Sequence, residues 1–129
     1  MERIHLASVI ALVCLGCAGL ADAAEAAAGK PTLENLQAAF NGESNTKAKY
    51  EAFAVKADEE GYKSVASLFR AASLSEGIHA KKHAAVIAKL GAEPKAEIAK
   101  PEVKSTKENL AAALAGESYE KETMYPSFI

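Results

Sequence analysis

Hydrophobic residues recur at intervals of three and four along most of the chain after residue 32, which is the spacing of one face of an α-helix. The first such stretch predicts a helix from Leu33 to about Glu60, with an N-cap at Thr32 and Pro31 just outside it. Gly61 interrupts the pattern and is expected to end the helix in a left-handed conformation. The apolar face of this helix consists of Leu36, Phe40, Tyr50, Phe53 and Ala54.

A second pattern predicts a helix from about Tyr62 to Leu90, which Gly91 and Pro94 terminate. Because only one to three residues separate the two helices, they are expected to fold back on each other as an antiparallel hairpin. The face of the second helix combines apolar and ionisable residues, namely Val65, Leu68, Phe69, Ala72, Glu76, His79, His83, Val86 and Leu90.

The next segment, residues 92–104, holds two prolines among mixed charges and predicts a connection whose length suits a crossover along a helical bundle. Ser105 and Glu108 have the pattern of a capping box and open a third helix. Pro126 is expected to kink or end this helix, or to mark a turn beyond it. The face of the third helix consists of Leu110, Leu114, Glu117, Lys121, Met124 and Phe128.

The chain contains an internal repeat. Residues 32–44 align without gaps on residues 106–118, and nine of the thirteen positions are identical at an offset of 74. A duplicated helical hairpin explains this better than chance, and it predicts an all-α four-helix bundle with pseudo-two-fold symmetry, of which three main helices are encoded here. The counterparts of Glu76 and His79 fall near positions 150 and 153. We therefore expect either a fragment or a chain whose fourth helix comes from elsewhere.

Composition narrows the classes of function. The net charge of −2, from 15 basic and 17 acidic residues, gives no indication of nucleic-acid binding. A hydrophobic fraction of 50% excludes a disordered chain, and 129 residues suit a single domain. The two cysteines, Cys14 and Cys17, both lie near the N-terminus, so no disulfide framework can cross-link the rest of the chain.

The N-terminus has the pattern of an export signal. Arg3 precedes an apolar or small-residue run from Leu6 to Leu20, and small residues follow up to Ala23. The run is shorter than the ~20 residues of a membrane-spanning helix. We expect a signal peptide over residues 1–23, a periplasmic product without membrane contact, a tether over residues 24–31 and a functional domain over residues 32–129. A retained membrane anchor and a lipoprotein anchored at Cys17 are the alternatives.

Each predicted helix places ionisable groups on the face that should meet its neighbours. Unpaired carboxylates in a core cost several kcal/mol, and divalent cations compensate that cost. Glu-x-x-His, as in Glu76 and His79, puts an oxygen and a nitrogen ligand one turn apart on one helical face. Glu43 lies 18 residues before Gly61 and Glu76 lies 15 after it, so their levels in the hairpin differ by only about 4–5 Å. The ionisable residues concerned are Glu43, Glu76, His79, Glu117 and Glu120.

A single Glu on each of two helices, with Glu-x-x-His on two others, is the di-iron pattern of ferritin-like bundles. This chain has both single-Glu helices and one of the two Glu-x-x-His helices. Ligation that is rich in oxygen, with imidazole and without thiolate, suits iron, or alternatively manganese, better than structural zinc.

Three stretches, residues 35–50, 68–80 and 106–126, resemble the rubrerythrin family, and the resemblance covers residues 32–129. It implies a ferritin-like bundle with a non-haem di-iron centre that reduces hydrogen peroxide in defence against oxidative stress. In the family, the residues that correspond to His79 and Glu120 exchange at one iron with redox state. Tyr50 and Tyr125 match tyrosines that hydrogen-bond to the carboxylates. The residues that the resemblance makes metal ligands and catalytic groups are Glu43, Glu76, His79, Glu117 and Glu120.

The match includes neither the family's fourth helix nor the cysteine-rich rubredoxin-like domain that many members carry. Electrons are therefore expected from a partner such as a rubredoxin-like protein, and the chain is expected to form a homodimer. The favoured mechanism is reduction of peroxide by two electrons from the metal ions, while the carboxylates shift to balance charge. An iron-binding protein that oxidises ferrous iron without peroxidase turnover is one alternative, and a non-catalytic helical module is another. His83, one turn after His79, is open to interpretation as a ligand, a partner of ligands or a helix-end histidine.

Overall fold

The computed structural model describes residues 15–129, with side chains from Pro31 onward. Within this range no residue forms a strand, which confirms the all-α class expected from the sequence. The described residues fall into two units, residues 15–32 and residues 33–129. The helices are α1 (Leu15–Glu59), α2 (Lys63–Lys89) and α3 (Thr106–Tyr119), followed by a π-helical turn (Glu120–Met124) and a last helical turn, α4 (Tyr125–Ser127).

The start of the first helix differs from the prediction. Helix α1 begins at Leu15 and contains Pro31, so the N-cap expected at Thr32 is wrong, and residues 24–30, expected as a tether, are helical. Alanine has the highest helix propensity and is the commonest residue in this segment, whereas the prediction relied on an apolar stripe. None of the helices in the described part of the chain is long and apolar enough to cross a membrane. Residues 1–14 lie outside the described residues, so the export signal stays a prediction.

The hydrophobic core joins α1 to α2. The ring of Phe69 lies 5.7 Å from that of Tyr50 and 5.4 Å from that of Phe53, the second pair being edge to face. Aromatic pairs of this kind contribute about 0.5–1.5 kcal/mol beyond the burial of their area. Leu110 and Ala113 of α3 pack against the cluster and hold the third helix on this side of the hairpin. The buried members of the cluster are Tyr50, Phe53, Ala54, Ala57, Ala66 and Phe69.

Two glycines end the helices of the hairpin, as the sequence predicts. Gly61 has a φ of +83° and Gly91 a φ of +78°, a conformation that glycine adopts without steric cost. The backbone N–H of Tyr62 donates to the carbonyl of Ala57 at 2.8 Å, which closes the last turn of α1. This tight ending sets the register of α2 against α1, and with it the relative level of the acidic residues on the two helices.

Three amide side chains of α1 hold the connection between α2 and α3. Gln37, Asn41 and Asn45 follow one another at four-residue intervals. They make five hydrogen bonds of 2.7–3.1 Å with backbone groups of residues 93–99. Four helical residues rise about 6 Å, close to the roughly 6.6 Å spanned by two extended residues. Successive amides therefore reach alternate residues of the connection, and we call these three residues the amide ladder.

Helix α3 begins with the capping box that the sequence predicts. The side chain of Ser105 accepts a bond from the backbone N–H of Glu108, and the carboxylate of Glu108 accepts the N–H of Ser105 at 3.2 Å. Glu60, just after α1, accepts the N–H of Thr106 at 2.9 Å. These bonds satisfy N–H groups that a helix start leaves unpaired, and they tie the beginning of α3 to the end of α1.

The last part of the chain is not the uniform α-helix expected from its spacing. The backbone widens into the π-helical turn, and the final helical turn ends one residue after Pro126. Leu68 and Leu114, which the sequence places on the apolar faces, are 58% and 70% exposed. Among the described residues no element covers this side of α2 and α3, which in a four-helix bundle is the side of the remaining helix.

The amide ladder makes a testable contribution to stability. Asn45→Ala removes the two bonds to residues 97 and 99, together with the contacts of the same amide to Asn41. We expect the free energy of unfolding to fall by about 1–2 kcal/mol, measured by urea denaturation. Asn35→Ala is the matched control, because Asn35 lies on the same helix and makes no side-chain hydrogen bond within the described residues. Equal losses in the two variants would show that the ladder contributes nothing.

Candidate metal centre

Three of the predicted residues form a tight group between α1 and α2. One ligand atom from each of Glu43, Glu76 and His79 lies within 4.8 Å of the others. The Nδ1 atom of His79 is 3.4 Å from Oε2 of Glu43 and 3.4 Å from Oε2 of Glu76. The hairpin brings Glu43 opposite Glu76, and the three-residue spacing on α2 places His79 one turn further along the same face.

The group fits a metal ion because it contains a buried oxygen without a hydrogen bond. Glu43 is 2% exposed and Glu76 is 5% exposed. When both carboxylates are ionised, the Oε2 atom of Glu43 has no hydrogen-bond partner among the described residues, and it lies 3.4 Å from Nδ1 of His79. An unsatisfied carboxylate oxygen in an interior is costly, and a cation bound there satisfies it. Two carboxylates and one imidazole are donors that suit iron or manganese.

Without a cation, a proton reduces the repulsion between the two buried acids. Burial, followed by the hydrogen bond and the negative charge of Glu43, raises the pKa of Glu76 to about 9. Burial also acts to raise the pKa of Glu43, but hydrogen bonds from Glu76 and Tyr125 outweigh it and leave this pKa below its ordinary value. Near neutral pH the pair therefore carries one negative charge, with the proton on Glu76.

The other two predicted ligands line the same cavity but lie outside the tight group. Glu117 of α3 is exposed, whereas Glu120, at the start of the π-helical turn, is half-buried. Burial, together with the negative charges of Glu43 and Glu117, raises the pKa of Glu120. The cavity has a volume of about 490 Å³ and is lined by Glu43, Glu76, His79, Lys82, His83, Glu117, Glu120, Lys121 and Tyr125.

Two tyrosines donate hydrogen bonds to carboxylates on other helices. The hydroxyl of Tyr50 on α1 donates to Oε1 of Glu117 on α3 at 2.6 Å. The hydroxyl of Tyr125, beyond the π-helical turn, donates to Oε1 of Glu43 on α1. Burial and the bonded carboxylate raise the pKa of both phenols, so each tyrosine stays a neutral donor. The structure thus places Tyr50 and Tyr125 in contact with two of the predicted ligands.

The π-helical turn explains why Tyr50 and Tyr125 make equivalent hydrogen bonds although they lie at different distances in sequence from the glutamate of their own repeat. Tyr50 follows Glu43 by seven residues, whereas Tyr125 follows Glu117 by eight, so the repeat offset pairs Tyr50 with Met124. A π-helical turn holds an additional residue compared with an α-helical turn. The turn therefore restores Tyr125 to the position equivalent to Tyr50. The only indication of this turn in the sequence is the one-residue slip in the repeat, which was not recognised as a π-helical turn.

His83 takes one of the roles that the sequence left open. Its side chain is 22% exposed, and it is not part of the tight group. Its Nε2 atom lies 3.3 Å from the hydroxyl of Tyr125 and 3.9 Å from Oε1 of Glu43. In this structure His83 therefore contacts Tyr125, which in turn bonds to the predicted ligand Glu43. Lys82 and Lys121, which the sequence pattern did not indicate as site residues, also border the cavity.

Comparison with known proteins supports the expected family. Residues 34–129 match the family model described as Rubrerythrin. The chain is 45% identical over 101 residues to nigerythrin of Nitratidesulfovibrio vulgaris, covering 76% of this chain and 49% of nigerythrin. It is 37% identical over 100 residues to rubrerythrin of Porphyromonas gingivalis, covering 78% of this chain and 50% of that protein. The chain thus spans about half the length of these curated relatives.

Solved structures of nigerythrin show the same fold. Its fully reduced, all-ferrous state and its partially reduced state each match with a TM-score of 0.71 and 43% sequence identity, over 75% of this chain and 48% of nigerythrin. This confirms the ferritin-like helical bundle. Rubrerythrins bind a di-iron centre, and Glu43, Glu76 and His79 form a group that could hold a metal ion, so the iron cofactor is confirmed at the level of the family. The chain belongs to the rubrerythrin family.

Proposed function

We propose that this chain supplies most of a non-haem di-iron centre that reduces hydrogen peroxide to water in defence against oxidative stress. The observation that carries the proposal is the unpartnered Oε2 atom of Glu43, buried within 3.4 Å of the imidazole of His79 and beside Glu76. Membership of a di-iron family agrees with this donor set. Manganese remains the alternative metal for the same ligands.

Each ligand has a distinct part in the proposal. Glu43, Glu76 and His79 hold one metal ion between α1 and α2, and Glu117 and Glu120 approach a second from α3 and the π-helical turn. When bound, the two iron ions supply the two electrons that, with two protons, convert hydrogen peroxide to two molecules of water. Glu117 is exposed and Glu120 is half-buried. These two carboxylates therefore have room to move when the charge of the metal ions changes.

The completed centre requires a further helix, which the internal repeat predicts to carry Glu-x-x-His. Such a helix fits the uncovered side of α2 and α3, where Leu68 and Leu114 are exposed. The proposal also includes a homodimer, electron supply by an external rubredoxin-like donor and a periplasmic location after export. The donor agrees with a general property of rubrerythrins, the homodimer depends on the sequence resemblance, and the location depends on the N-terminal sequence pattern alone.

A second candidate function is binding and oxidation of ferrous iron without peroxidase turnover. One observation favours it: within the described residues, only three ligand atoms come close together. Such a group holds a single cation readily, whereas rapid two-electron reduction of peroxide needs the second metal. Measuring peroxide consumption with an electron donor, next to ferrous oxidation without one, separates the two candidates.

Peroxide turnover tests the proposed function directly. We expect the iron-loaded protein, with the further helix present, to consume hydrogen peroxide with a reduced rubredoxin as donor, measured as two electrons taken from the donor for each peroxide lost. Loss of a residue that hydrogen-bonds to a metal ligand lowers activity by up to about 100-fold. His79→Ala removes the ligand itself, so the rate should fall at least about 100-fold.

The acidic π-helical turn offers a matched pair of variants for the same assay. Glu120→Ala should lower turnover, whereas Glu122→Ala, two residues away and exposed outside the cavity lining, should not. Ferrous oxidation with no donor-dependent peroxide loss would favour the second candidate. Absence of iron binding altogether would refute both.

The shared proton predicts the pH dependence of the metal-free protein. The pKa of Glu76 is about 9 in the fold, against an ordinary value of 4.5. Between these values the folded chain holds a proton that the unfolded chain has released, so the contribution of Glu76 to stability is fully present below about pH 4.5 and is lost as pH rises through about 9. We expect the free energy of unfolding, from urea titrations in the presence of a chelator, to decrease between about pH 5 and about pH 9.

Glu76→Gln should flatten this pH dependence, because the amide keeps a neutral hydrogen-bonding group in the same place. Glu122→Gln, on an exposed residue, is the control and should leave the dependence unchanged. A metal-free protein that gains stability over the same pH range would contradict the assignment of the proton to Glu76.

A further inference from the structure

The hydroxyl of Tyr125 donates its single proton to the carboxylate of Glu43. This hydroxyl contacts Oε1 of Glu43, and an ionised carboxylate only accepts hydrogen bonds. The proton of Tyr125 therefore lies on the Glu43 side, and the phenol oxygen can only accept a further bond. The nearest side-chain nitrogen is Nε2 of His83, 3.3 Å away. This nitrogen must consequently carry a hydrogen and donate it to Tyr125.

The surroundings of Tyr125 show why it needs a polar contact. Tyr50, which makes the equivalent bond to Glu117, is 2% exposed and is oriented by the aromatic core. Tyr125 lies beyond the π-helical turn and is only half-buried. The ring of His83 stacks on one side of it, with centroids 6.3 Å apart and planes 19° apart. Phe128 meets the ring edge to face at 5.9 Å.

The contact also decides which oxygen of Glu43 faces the ligand group. With Oε1 engaged by Tyr125, the other oxygen, Oε2, is the one that faces the ligand group, 3.4 Å from Nδ1 of His79. A phenol free to turn its proton elsewhere would let the carboxylate rotate and lose this arrangement. His83 can therefore affect the metal site from one turn beyond His79 without being a ligand.

We propose that His83 is a positioning residue, which donates from Nε2 to Tyr125 and thereby directs the Tyr125 hydroxyl onto Glu43. His83 acts through the tyrosine and not through the metal ion. The inference rests on the proposed function only in so far as Glu43 is a ligand, because the hydrogen bonds themselves exist in the metal-free chain.

The experiment compares His83→Gln, whose amide can donate from a similar position, with His83→Leu, which cannot donate. Each is made in the full chain and again in a Tyr125→Phe background. Fe²⁺ affinity is measured anaerobically by competition with a chromophoric chelator. We expect His83→Leu to weaken binding about tenfold and His83→Gln to recover most of the loss. In the Tyr125→Phe background His83→Leu should have little further effect, since interacting residues are not additive.

Control measurements keep folding, function and positioning apart. Lys81→Leu, on an exposed position of α2 outside the cavity lining, should leave Fe²⁺ affinity unchanged, and urea unfolding shows whether each variant is folded. Resonance Raman spectra of the tyrosines in metal-free protein should change with His83→Leu and not with His83→Gln. Independent, multiplicative effects of His83→Leu and Tyr125→Phe would overturn the proposal, as would an unchanged Raman spectrum. A wild-type chain that binds no Fe²⁺ would overturn the proposed function, while the Raman comparison would still decide the role of His83.

Discussion

The structure depends on the placement of two carboxylates, Glu43 and Glu76, side by side in the interior of a helical bundle. Two negative charges at this depth repel each other and lack solvation, so the fold requires a positive counterpart. A proton on Glu76 meets this requirement in the metal-free chain, and a cation meets it when the site is loaded. Metal binding is therefore an exchange of cation for proton, which links the stability of the bundle to its chemistry.

The internal repeat gives this arrangement its symmetry, and the π-helical turn adjusts it. Each half of the repeat provides one glutamate and one tyrosine, and each tyrosine donates to the glutamate of the other half. The additional residue in the second half would have turned Tyr125 away from Glu43 in a regular α-helix. A local irregularity of the backbone thus preserves a long-range pairing of side chains.

Sequence reasoning predicted the features that have local or strongly patterned causes. The glycines at positions 61 and 91 and the capping box at Ser105 depend on residues next to them, and the structure has them as predicted. Glu43, Glu76 and His79 were identifiable because they break an apolar stripe. The amide ladder could not be predicted, since its partners are backbone groups more than 50 residues away. The early start of α1 was missed because alanine favours a helix without marking a face.

The two sides of the cavity differ in how much of their geometry the described residues determine. Glu43 and Glu76 are buried between α1 and α2, and the hydroxyl of Tyr125 holds Glu43 from beyond the π-helical turn. Glu117 has one hydrogen bond, from Tyr50, and faces solvent beside the exposed side chain of Leu114. A helix covering that side would remove water from Glu117 and strengthen its interaction with a cation, because charges attract more strongly in a medium of low dielectric constant. Glu43 and Glu76 are therefore already enclosed by the described residues, whereas Glu117 would interact with a cation more strongly in a closed bundle.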